Sequence, residues 1–175
     1  MPTHERFLAL PTLFLALAAA AGAAGCSSFG VSTTDRPPVA PFGALASDQA
    51  KVCVVRGGDL PAPFFTTVVY DNAKLVGATK DGTYFCYLAE PGQHTIVSDG
   101  AYGRRTAVLR AQAGGQYYLK QAWRFPGFLG HALSWIDESV ARSEIQGDDY
   151  AVLTEVPGDK VLPGERPFAP ALASR

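Results

Sequence analysis

The chain has 175 residues, a formal net charge of -1 at pH 7 and only 18% charged residues. This balance excludes an electrostatic case for nucleic-acid binding, which needs an excess of Lys and Arg on one surface. The 18 glycines and 13 prolines, beside a single methionine, favour a turn-rich β domain over a helical one.

The chain begins with the pattern of an export signal. A weakly basic start with His4 and Arg6 precedes an alanine-rich apolar run that ends in small residues. This order is typical of a secretory signal peptide, so we expect residues 1–25 to be removed. A membrane-spanning helix would need about 20 apolar residues. That alternative is disfavoured because alanine is weakly apolar and no basic cluster follows the run.

Cys26 follows the signal directly. The run Ala23-Ala24-Gly25-Cys26 resembles the lipobox of bacterial lipoproteins, whose cysteine is diacylglyceryl-modified and becomes the acylated, often palmitate-bearing, mature amino terminus. Ala23 stands where that family usually has a larger aliphatic residue, so ordinary signal-peptidase cleavage with an unmodified Cys26 is the alternative. Two acyl chains suffice for stable membrane attachment. Ser27 resembles the residue that follows the cysteine in lipoproteins sorted to the outer membrane.

These features predict a protein of the cell envelope. It would be lipid-anchored at Cys26 and face the periplasm, on the outer membrane rather than the inner one. Residues 26–49 contain Pro37-Pro38 and scattered Gly, Ser and Thr without periodicity, which predicts a flexible tether. Residues 50–156 are predicted to form one domain, and residues 157–175, rich in Pro-Gly, a disordered tail.

Short apolar runs separated by turn residues fill the predicted domain. Residues 52–55 form a β-branched run without a polar face, which predicts a central strand covered on both sides. Asp71-Asn72-Ala73 predicts a tight hairpin between strands at 66–71 and 74–79. Further strands are predicted at 83–88, 93–98, 105–111, 116–123, 133–136 and 152–156. This spacing predicts an antiparallel β-sandwich of about seven or eight strands.

One short C-terminal helix is predicted at residues 137–146. Val140, Ala141 and Ile145 share one face of it, and Gly147 is placed to end it. The fold class is therefore mainly β with a single short helix.

Cys53 and Cys86 remain once Cys26 is assigned to the lipid. Two remaining cysteines in an oxidising compartment indicate one disulfide. Closing a loop of this size is expected to stabilise the fold by about 3–4 kcal/mol. Two reduced, buried thiols are the alternative. No second ligand lies at a usable spacing from either cysteine, so no metal site is predicted.

Five motifs carry a family resemblance, and in chain order they are Val52 to Arg56, Val69-Tyr70-Asp71-Asn72 with Lys74-Leu75-Val76-Gly77, Gly82-Thr83-Tyr84-Phe85, Pro91-Gly92-Gln93-His94-Thr95 and Gly115-Gln116-Tyr117-Tyr118-Leu119. Together they resemble small bacterial lipoproteins with a single β domain of unknown function. They are also similar to PEGA-type repeats, which combine a hairpin, a hydrophobic strand, Pro-Gly and an outgoing strand. The resemblance covers residues 50–145 and implies a β fold without implying an activity. The pair of Cys53 and Cys86 is not a fixed feature of that family.

His94 lies at the start of a predicted strand, just after the turn at Pro91-Gly92. As a titratable group it is a candidate for contacting a partner or ligand. In the structural alternative its ring closes the turn by bonding a backbone carbonyl. His131 is the other histidine after the signal and is predicted to lie in a distant loop, so the two do not indicate a metal or cofactor site.

Phe125 and Phe128 lie in a Gly- and Pro-containing segment that cannot form a regular element, and Trp135 follows shortly after. Together with His94 these three are the partner-binding candidates, since aromatic side chains in an exposed loop form contact patches. In the alternative they fold back and cap the open end of the sandwich.

No catalytic residue, cofactor or metal is predicted. The chain lacks Gly-x-Ser-x-Gly and a Gly-rich loop before a helix, and its aspartates, Asp71 among them, fall mostly in turns. We therefore expect a non-enzymatic binding or structural module. Its partners would be the membrane, through the lipid, and another envelope component, either a protein or a glycan.

Two alternatives belong to other function classes. The first is an envelope hydrolase that uses His94 or His131 with a carboxylate. The second is a binder of a small ligand or glycan, with exposed Tyr84, Tyr102 or Tyr118 lining a groove.

Overall fold

The computed structural model describes residues 28–45, 48–58, 65–101, 103–123 and 131–157. These ranges contain one helix, α1 (Glu138–Ile145), and ten strands, which in chain order are β1 (Gly30–Thr34), β2 (Ala50–Arg56), β3 (Thr67–Asp71), β4 (Lys74–Thr79), β5 (Thr83–Ala89), β6 (Gly92–Gly100), β7 (Gly103–Ala111), β8 (Gln116–Trp123), β9 (His131–Ile136) and β10 (Asp149–Glu155). The expected β-sandwich with one short helix is confirmed.

The strands form two facing sheets. Sheet A has the order β1-β10-β5-β2-β8-β9 and sheet B the order β4-β3-β6-β7. Most neighbours are antiparallel, but β10 runs parallel to β5 and β2 parallel to β8. Sheet A is thus mixed where the sequence predicts antiparallel pairing. The helix α1 lies in the connection that carries the chain across sheet A, from β9 at one edge to β10 beside β5.

The core is centred on β2, in which all seven residues are buried. Sheet B covers the inner face of sheet A. On the outer face α1 packs against β2 and β8 through its buried residues Ala141 and Ile145. The prediction of a central strand covered on both sides is confirmed, because two layers remove this β-branched run from water.

Residues 28–45 belong to the folded domain. All five residues of β1 pair antiparallel with β10, and Val31 is buried. The prediction of a flexible tether over residues 26–49 is therefore wrong for this strand. Its Val-Ser-Thr-Thr run is too short and polar to stand out as a strand, but β10 offers it a free edge to complete.

A covering segment, residues 38–43, crosses the outer face of sheet A after β1. The Tyr118 hydroxyl donates to the carbonyl oxygen of Pro41 at 3.1 Å. The ring of Phe42 lies 5.8 Å from the Tyr118 ring, and the Arg142 guanidinium stands 4.0 Å above Phe42. These contacts fix the segment on the domain, contrary to the predicted tether.

The hairpin between β3 and β4 is confirmed. Asn72 and Ala73 have positive φ angles of 48° and 67°, as a tight hairpin turn requires. The Asn72 side chain also accepts from the N–H of Thr95 at 2.9 Å and donates to the carbonyl of Gln93 at 3.2 Å. These bonds hold the turn against β6 and place Asp71, the last residue of β3, beside that strand.

Cys53 and Cys86 form the predicted disulfide. They are directly opposite on β2 and β5, with their Cα atoms 4.0 Å apart. Residues opposite in antiparallel strands share a face, so both side chains lie on the outer face of sheet A, below the covering segment.

The predicted signal peptide and Cys26 lie outside the described residues, as do residues 158–175 of the predicted tail. In the part of the chain that the structure describes, no helix is long and apolar enough to cross a membrane.

Candidate functional site

A cleft opens in sheet A where β10 diverges from β5. The two strands pair at two positions, Asp149 with Thr83 and Tyr150 with Tyr84. Farther along, β10 keeps its pairing with β1 and approaches β4, the edge strand of sheet B. The second half of β5 is thereby left without β10 beside it.

Tyr150 closes the narrow end of this cleft. Its hydroxyl donates to the carbonyl oxygen of Cys86 at 2.9 Å and accepts from the Cys86 N–H at 3.3 Å. The ring of Tyr84 packs edge-on at 5.3 Å. Burial raises the pKa of the Tyr150 hydroxyl. The Tyr150 side chain thus bonds to the peptide groups of Cys86 at the point where β10 separates from β5 and no longer pairs with it.

The cleft has a volume of about 630 Å³. Ligand pockets in proteins measure roughly 300–1,000 Å³ and are mostly apolar. The walls here are mainly apolar too, and include Val39, Leu75, Val76, Phe85, Ala151 and Leu153.

Gly77 of β4 lets the two sheets approach closely at this cleft. A Cβ atom at Gly77 would lie 2.5 Å from Cε2 of Phe85, which is closer than real Cβ contacts. Glycine is therefore needed for the Phe85 ring to lie flat against β4. The ring also stacks on Tyr87 with 6.2 Å between centroids.

A buried polar cluster of Asp71, Tyr87 and His94 lies at one end of the cleft. Nδ1 of His94 is 2.7 Å from Oδ2 of Asp71, and Nε2 is 2.8 Å from the carbonyl oxygen of Glu90. The Tyr87 hydroxyl donates to the same Oδ2 at 3.1 Å. Burial, reinforced by the Asp71 carboxylate, raises the pKa of Tyr87 far above its usual value.

These contacts define the protons of the cluster. Because the carbonyl of Glu90 only accepts, Nε2 of His94 carries a proton. The contact between Nδ1 and Asp71 then holds one further proton, either as imidazolium with carboxylate or as imidazole with carboxylic acid. The pair is neutral overall in both forms. Neither ring nitrogen keeps a free lone pair, so His94 is not arranged as a general base.

The other carboxylate oxygen of Asp71, Oδ1, is buried and has no hydrogen-bond partner among the described residues. Asp71 is 7% exposed and lines the cleft. A buried acceptor without a donor costs about 1–3 kcal/mol. Oδ1 is therefore an acceptor that stays unused inside the buried cluster.

His94 lies near the start of β6, as the sequence predicts. Its bond to the carbonyl of Glu90 is the turn-closing contact of the structural alternative. Sequence reasoning missed Asp71, which it assigned to a turn 23 residues away. The period-two pattern of β3 carries a weak signal, since it directs the last residue of the strand inward with Val69.

His131 begins β9 instead of lying in a loop, and it joins a buried polar network between the sheets. Its Nε2 is 3.1 Å from the Ser98 hydroxyl, which accepts from the Gln121 amide at 2.8 Å. The Gln121 carbonyl accepts from Thr79 at 2.6 Å. Burial, aided by the positive charge of Arg105, lowers the pKa of His131. These bonds give His131 a structural role.

Trp135 bridges the edges of the two sheets. Its indole N–H donates to the carbonyl of Val108 on β7 at 3.2 Å, and its ring meets Tyr117 edge-on at 6.4 Å. The side chain is still 38% exposed. Phe125 and Phe128 lie outside the described residues, so the three-residue patch stays a prediction.

The expected groove of exposed tyrosines is wrong for two of its members. Tyr84 and Tyr118 are 7% and 3% exposed, because both lie on the outer face of sheet A beneath other groups. Tyr102 lies outside the described residues. The structure instead shows an apolar cleft between β5 and β10, which no sequence pattern predicts.

Within the described ranges, no group of three or more His, Cys, Asp or Glu is placed to hold a metal ion. Comparisons with protein-family models, with curated proteins and with solved structures find no significant match to this chain. The resemblance to lipoproteins with a PEGA-like pattern therefore stays a prediction.

Proposed function

We propose that this protein is a lipid-anchored, non-enzymatic binding module of the cell envelope, and that its ligand occupies the cleft between β5 and β10. The observation that carries the proposal is the cleft itself, which is mainly apolar, about 630 Å³ in volume and polar at one end. An apolar pocket with a few convergent polar groups is the usual form of a ligand site.

The lipid on Cys26 would hold this cleft close to a membrane. β1 begins at Gly30, four positions after Cys26, and an extended chain spans at most about 3.6 Å per residue. The folded domain would then start within about 14 Å of the acylated residue. Gly30 pairs with Glu155 at the end of β10, two residues beyond Leu153 in the cleft wall. The anchor thus favours a ligand that belongs to the envelope.

Anchoring is tested by labelling growing cells with a radioactive fatty acid and separating their membranes. The wild-type chain is expected to carry label and to sediment with membranes, whereas Cys26→Ala loses both properties because it lacks the acylated thiol. A Cys26→Ala chain that still sediments with membranes in the absence of label contradicts the anchor.

Binding in the cleft is tested with a photo-crosslinking amino acid at Leu88, which is 45% exposed at the cleft rim. Val140, 42% exposed on α1, is the matched control position. We expect crosslinked envelope material at Leu88 and much less at Val140. Equal yields at both positions, or a higher yield at Val140, contradict the cleft as the binding site.

One observation fits the hydrolase alternative, because a histidine and a carboxylate, His94 and Asp71, are in contact at the cleft. A general base needs a free ring nitrogen, and the bond from Nε2 to the Glu90 carbonyl occupies the nitrogen that would serve. The described residues that line the cleft include no serine or threonine as a nucleophile. The geometry therefore supports binding better than hydrolysis.

A further inference from the structure

We propose that the ligand of the cleft is an extended peptide segment of another envelope protein, which adds as a strand to the free edge of β5 and packs apolar side chains against the cleft walls. This inference rests on the proposed function, because it takes the cleft between β5 and β10 as the binding site. It adds the chemical class of the ligand and the backbone groups that recognise it.

The direction of the backbone groups in β5 follows from the bonds of Tyr150. Its hydroxyl bonds to both the N–H and the carbonyl oxygen of Cys86, so these groups point away from β2. Opposite residues of antiparallel strands alternate between exchanging both backbone bonds and exchanging neither. Cys53 and Cys86 are therefore a pair of the second kind, and so are Lys51 and Leu88, two positions farther along. The N–H and the carbonyl of Leu88 consequently point away from β2, toward the cleft.

The N–H of Lys51 supports this assignment independently. It donates to the carbonyl of Gly115 at 2.9 Å, directly before β8, and so points to the opposite side of β2 from β5. Lys51 therefore does not exchange bonds with Leu88. Leu88 is 45% exposed and lines the cleft. Among the described residues, neither its N–H nor its carbonyl oxygen has a hydrogen-bond partner.

The opposite wall of the cleft, β10, also directs its backbone toward the gap. The N–H of Asp149 donates to the carbonyl of Gly82 at 3.1 Å, directly before β5. Backbone direction alternates along a strand, so Leu153, four positions after Asp149, points its groups to the same side. β10 pairs with β5 only at Asp149 and Tyr150. The cleft is therefore a position in sheet A at which the described chain supplies no strand.

A peptide strand matches these groups better than other ligand classes. The N–H and carbonyl of Leu88 face one edge together, and a residue of an added strand supplies one acceptor and one donor to them. On its inner side that strand would meet Phe85 and Leu75, and on its outer side Val39. An acyl chain would leave the peptide groups of Leu88 without bonds. A glycan would bury its hydroxyls against the apolar walls, at the cost of their bonds to water.

A matched pair of probes tests the added strand. The first is an acetylated and amidated heptapeptide in which valine alternates with threonine between two terminal lysines. The second has the same side chains but ester bonds in place of its internal amides, so it lacks their N–H donors. Both are titrated by calorimetry into the chain from residue 26 onward with Cys26→Ser, which carries no acyl chains. We expect the peptide to bind about tenfold more tightly, because the ester cannot donate to the carbonyl of Leu88 and is a weaker acceptor.

Two variants at one position isolate the backbone donor. Leu88→Pro removes the N–H, and a strand tolerates proline where that N–H faces away from its neighbour, so the pairing of β5 with β2 is kept. Leu88→Ala is the matched control, because it shortens the side chain and keeps the N–H. We expect Leu88→Pro to bind the heptapeptide about fivefold more weakly than Leu88→Ala. Equal affinities of the two variants overturn the bond to the Leu88 N–H.

Amide hydrogen exchange, followed by NMR, observes the same N–H in the Cys26→Ser chain without a change at Leu88. In the free chain we expect the Leu88 amide to exchange quickly and the Tyr87 amide, which faces β2, to exchange slowly. Saturating heptapeptide is expected to slow exchange at Leu88 about tenfold, because the added strand bonds to its peptide groups. If Leu88→Pro does not fold, this measurement and the two probes still decide the question.

The outcomes separate this inference from the proposed function. Equal affinities for the two probes, no binding of either, or unchanged exchange at Leu88 overturns the added strand. Photo-crosslinking at Leu88 to lipid, to glycan or to residues 158–175 of the same chain overturns the peptide of a partner, while the cleft stands as a binding site. Equal crosslinking at Leu88 and Val140 instead overturns the cleft itself. The lipid on Cys26 is tested separately by the fatty-acid labelling.

Discussion

Nδ1 of His94 and Oδ2 of Asp71 lie 2.7 Å apart, in a cluster that is almost fully removed from water. They come from neighbouring strands, β6 and β3, and the hairpin turn at Asn72 is bonded to β6 on both sides. The contact therefore links the hairpin turn at Asn72 to the polar end of the cleft. A neutral, hydrogen-bonded pair at this depth is stable only while both partners are present.

Removing His94 is expected to destabilise the domain strongly. His94→Ala leaves Asp71 buried with one donor, Tyr87, and leaves the carbonyl of Glu90 without its bond. The loss of one partner of a buried pair costs about 3–5 kcal/mol. Tyr87→Phe, which removes a single hydrogen bond, is expected to cost about 1–2 kcal/mol. Urea unfolding at pH 7 measures both, and a smaller loss for His94→Ala than for Tyr87→Phe contradicts the pair.

Reducing the disulfide is expected to lower stability without changing the fold. Cys53 and Cys86 close a loop with a sequence separation of 33, and constraining such a loop in the unfolded chain is worth about 3–4 kcal/mol. Urea unfolding with and without a thiol reductant measures this difference. The double variant Cys53→Ala, Cys86→Ala serves as the control and is expected to be insensitive to the reductant. A wild-type domain that is equally stable in both conditions contradicts the prediction.

The sandwich could be predicted from sequence because its signals are local. The apolar run of β2 and the left-handed turn at Asn72 and Ala73 act over a few residues. The disulfide could be predicted from the number of cysteines alone, since Cys53 and Cys86 are the two that remain once Cys26 is assigned to the lipid. None of these inferences requires knowing which strands become neighbours.

The cleft could not be predicted because it depends on how strands diverge. β10 leaves β5 after Tyr150 and turns toward β4, and no residue of β10 encodes that path by itself. The contact of Asp71 with His94 likewise needs β3 and β6 to be neighbours. β1 was missed for the same reason, because a short polar strand is stabilised by the edge of β10 that it joins.

Gly77→Ala is expected to destabilise the domain by about 1–3 kcal/mol, the usual cost of overpacking a core. The added Cβ would lie 2.5 Å from the Phe85 ring, which stacks on Tyr87 and cannot simply swing aside. Gly58→Ala is the control, because its Cβ would meet Gly82 at an ordinary 3.6 Å. Thermal unfolding followed by circular dichroism compares them, and equal melting temperatures contradict the close packing of β4 on β5.

Acidification is expected to destabilise the domain through His131. Burial lowers its folded-state pKa below the ordinary 6.5, so the unfolded chain takes up the proton first as pH falls. Stability is therefore fully present above about pH 6.5 and decreases below it, until the folded-state pKa is passed. Urea unfolding is measured between pH 7.5 and pH 5 in steps of about one pH unit. The free energy of unfolding is expected to fall less steeply with decreasing pH in His131→Gln than in the wild-type domain. An identical pH slope in both proteins contradicts the role of His131.

Phe42→Ala is expected to destabilise the domain by about 1–3 kcal/mol, because it removes an aromatic contact with Tyr118 and the stacking of Arg142. A flexible tether would show no such loss, so this variant tests whether the covering segment belongs to the fold. Asp35→Ala, at an exposed position between β1 and the segment, is the matched control and is expected to have little effect. Urea unfolding measures both variants. Hydrogen exchange at Tyr118 and its neighbours in β8 is expected to quicken in Phe42→Ala alone, and equal exchange in the two variants would mean that the segment does not protect sheet A.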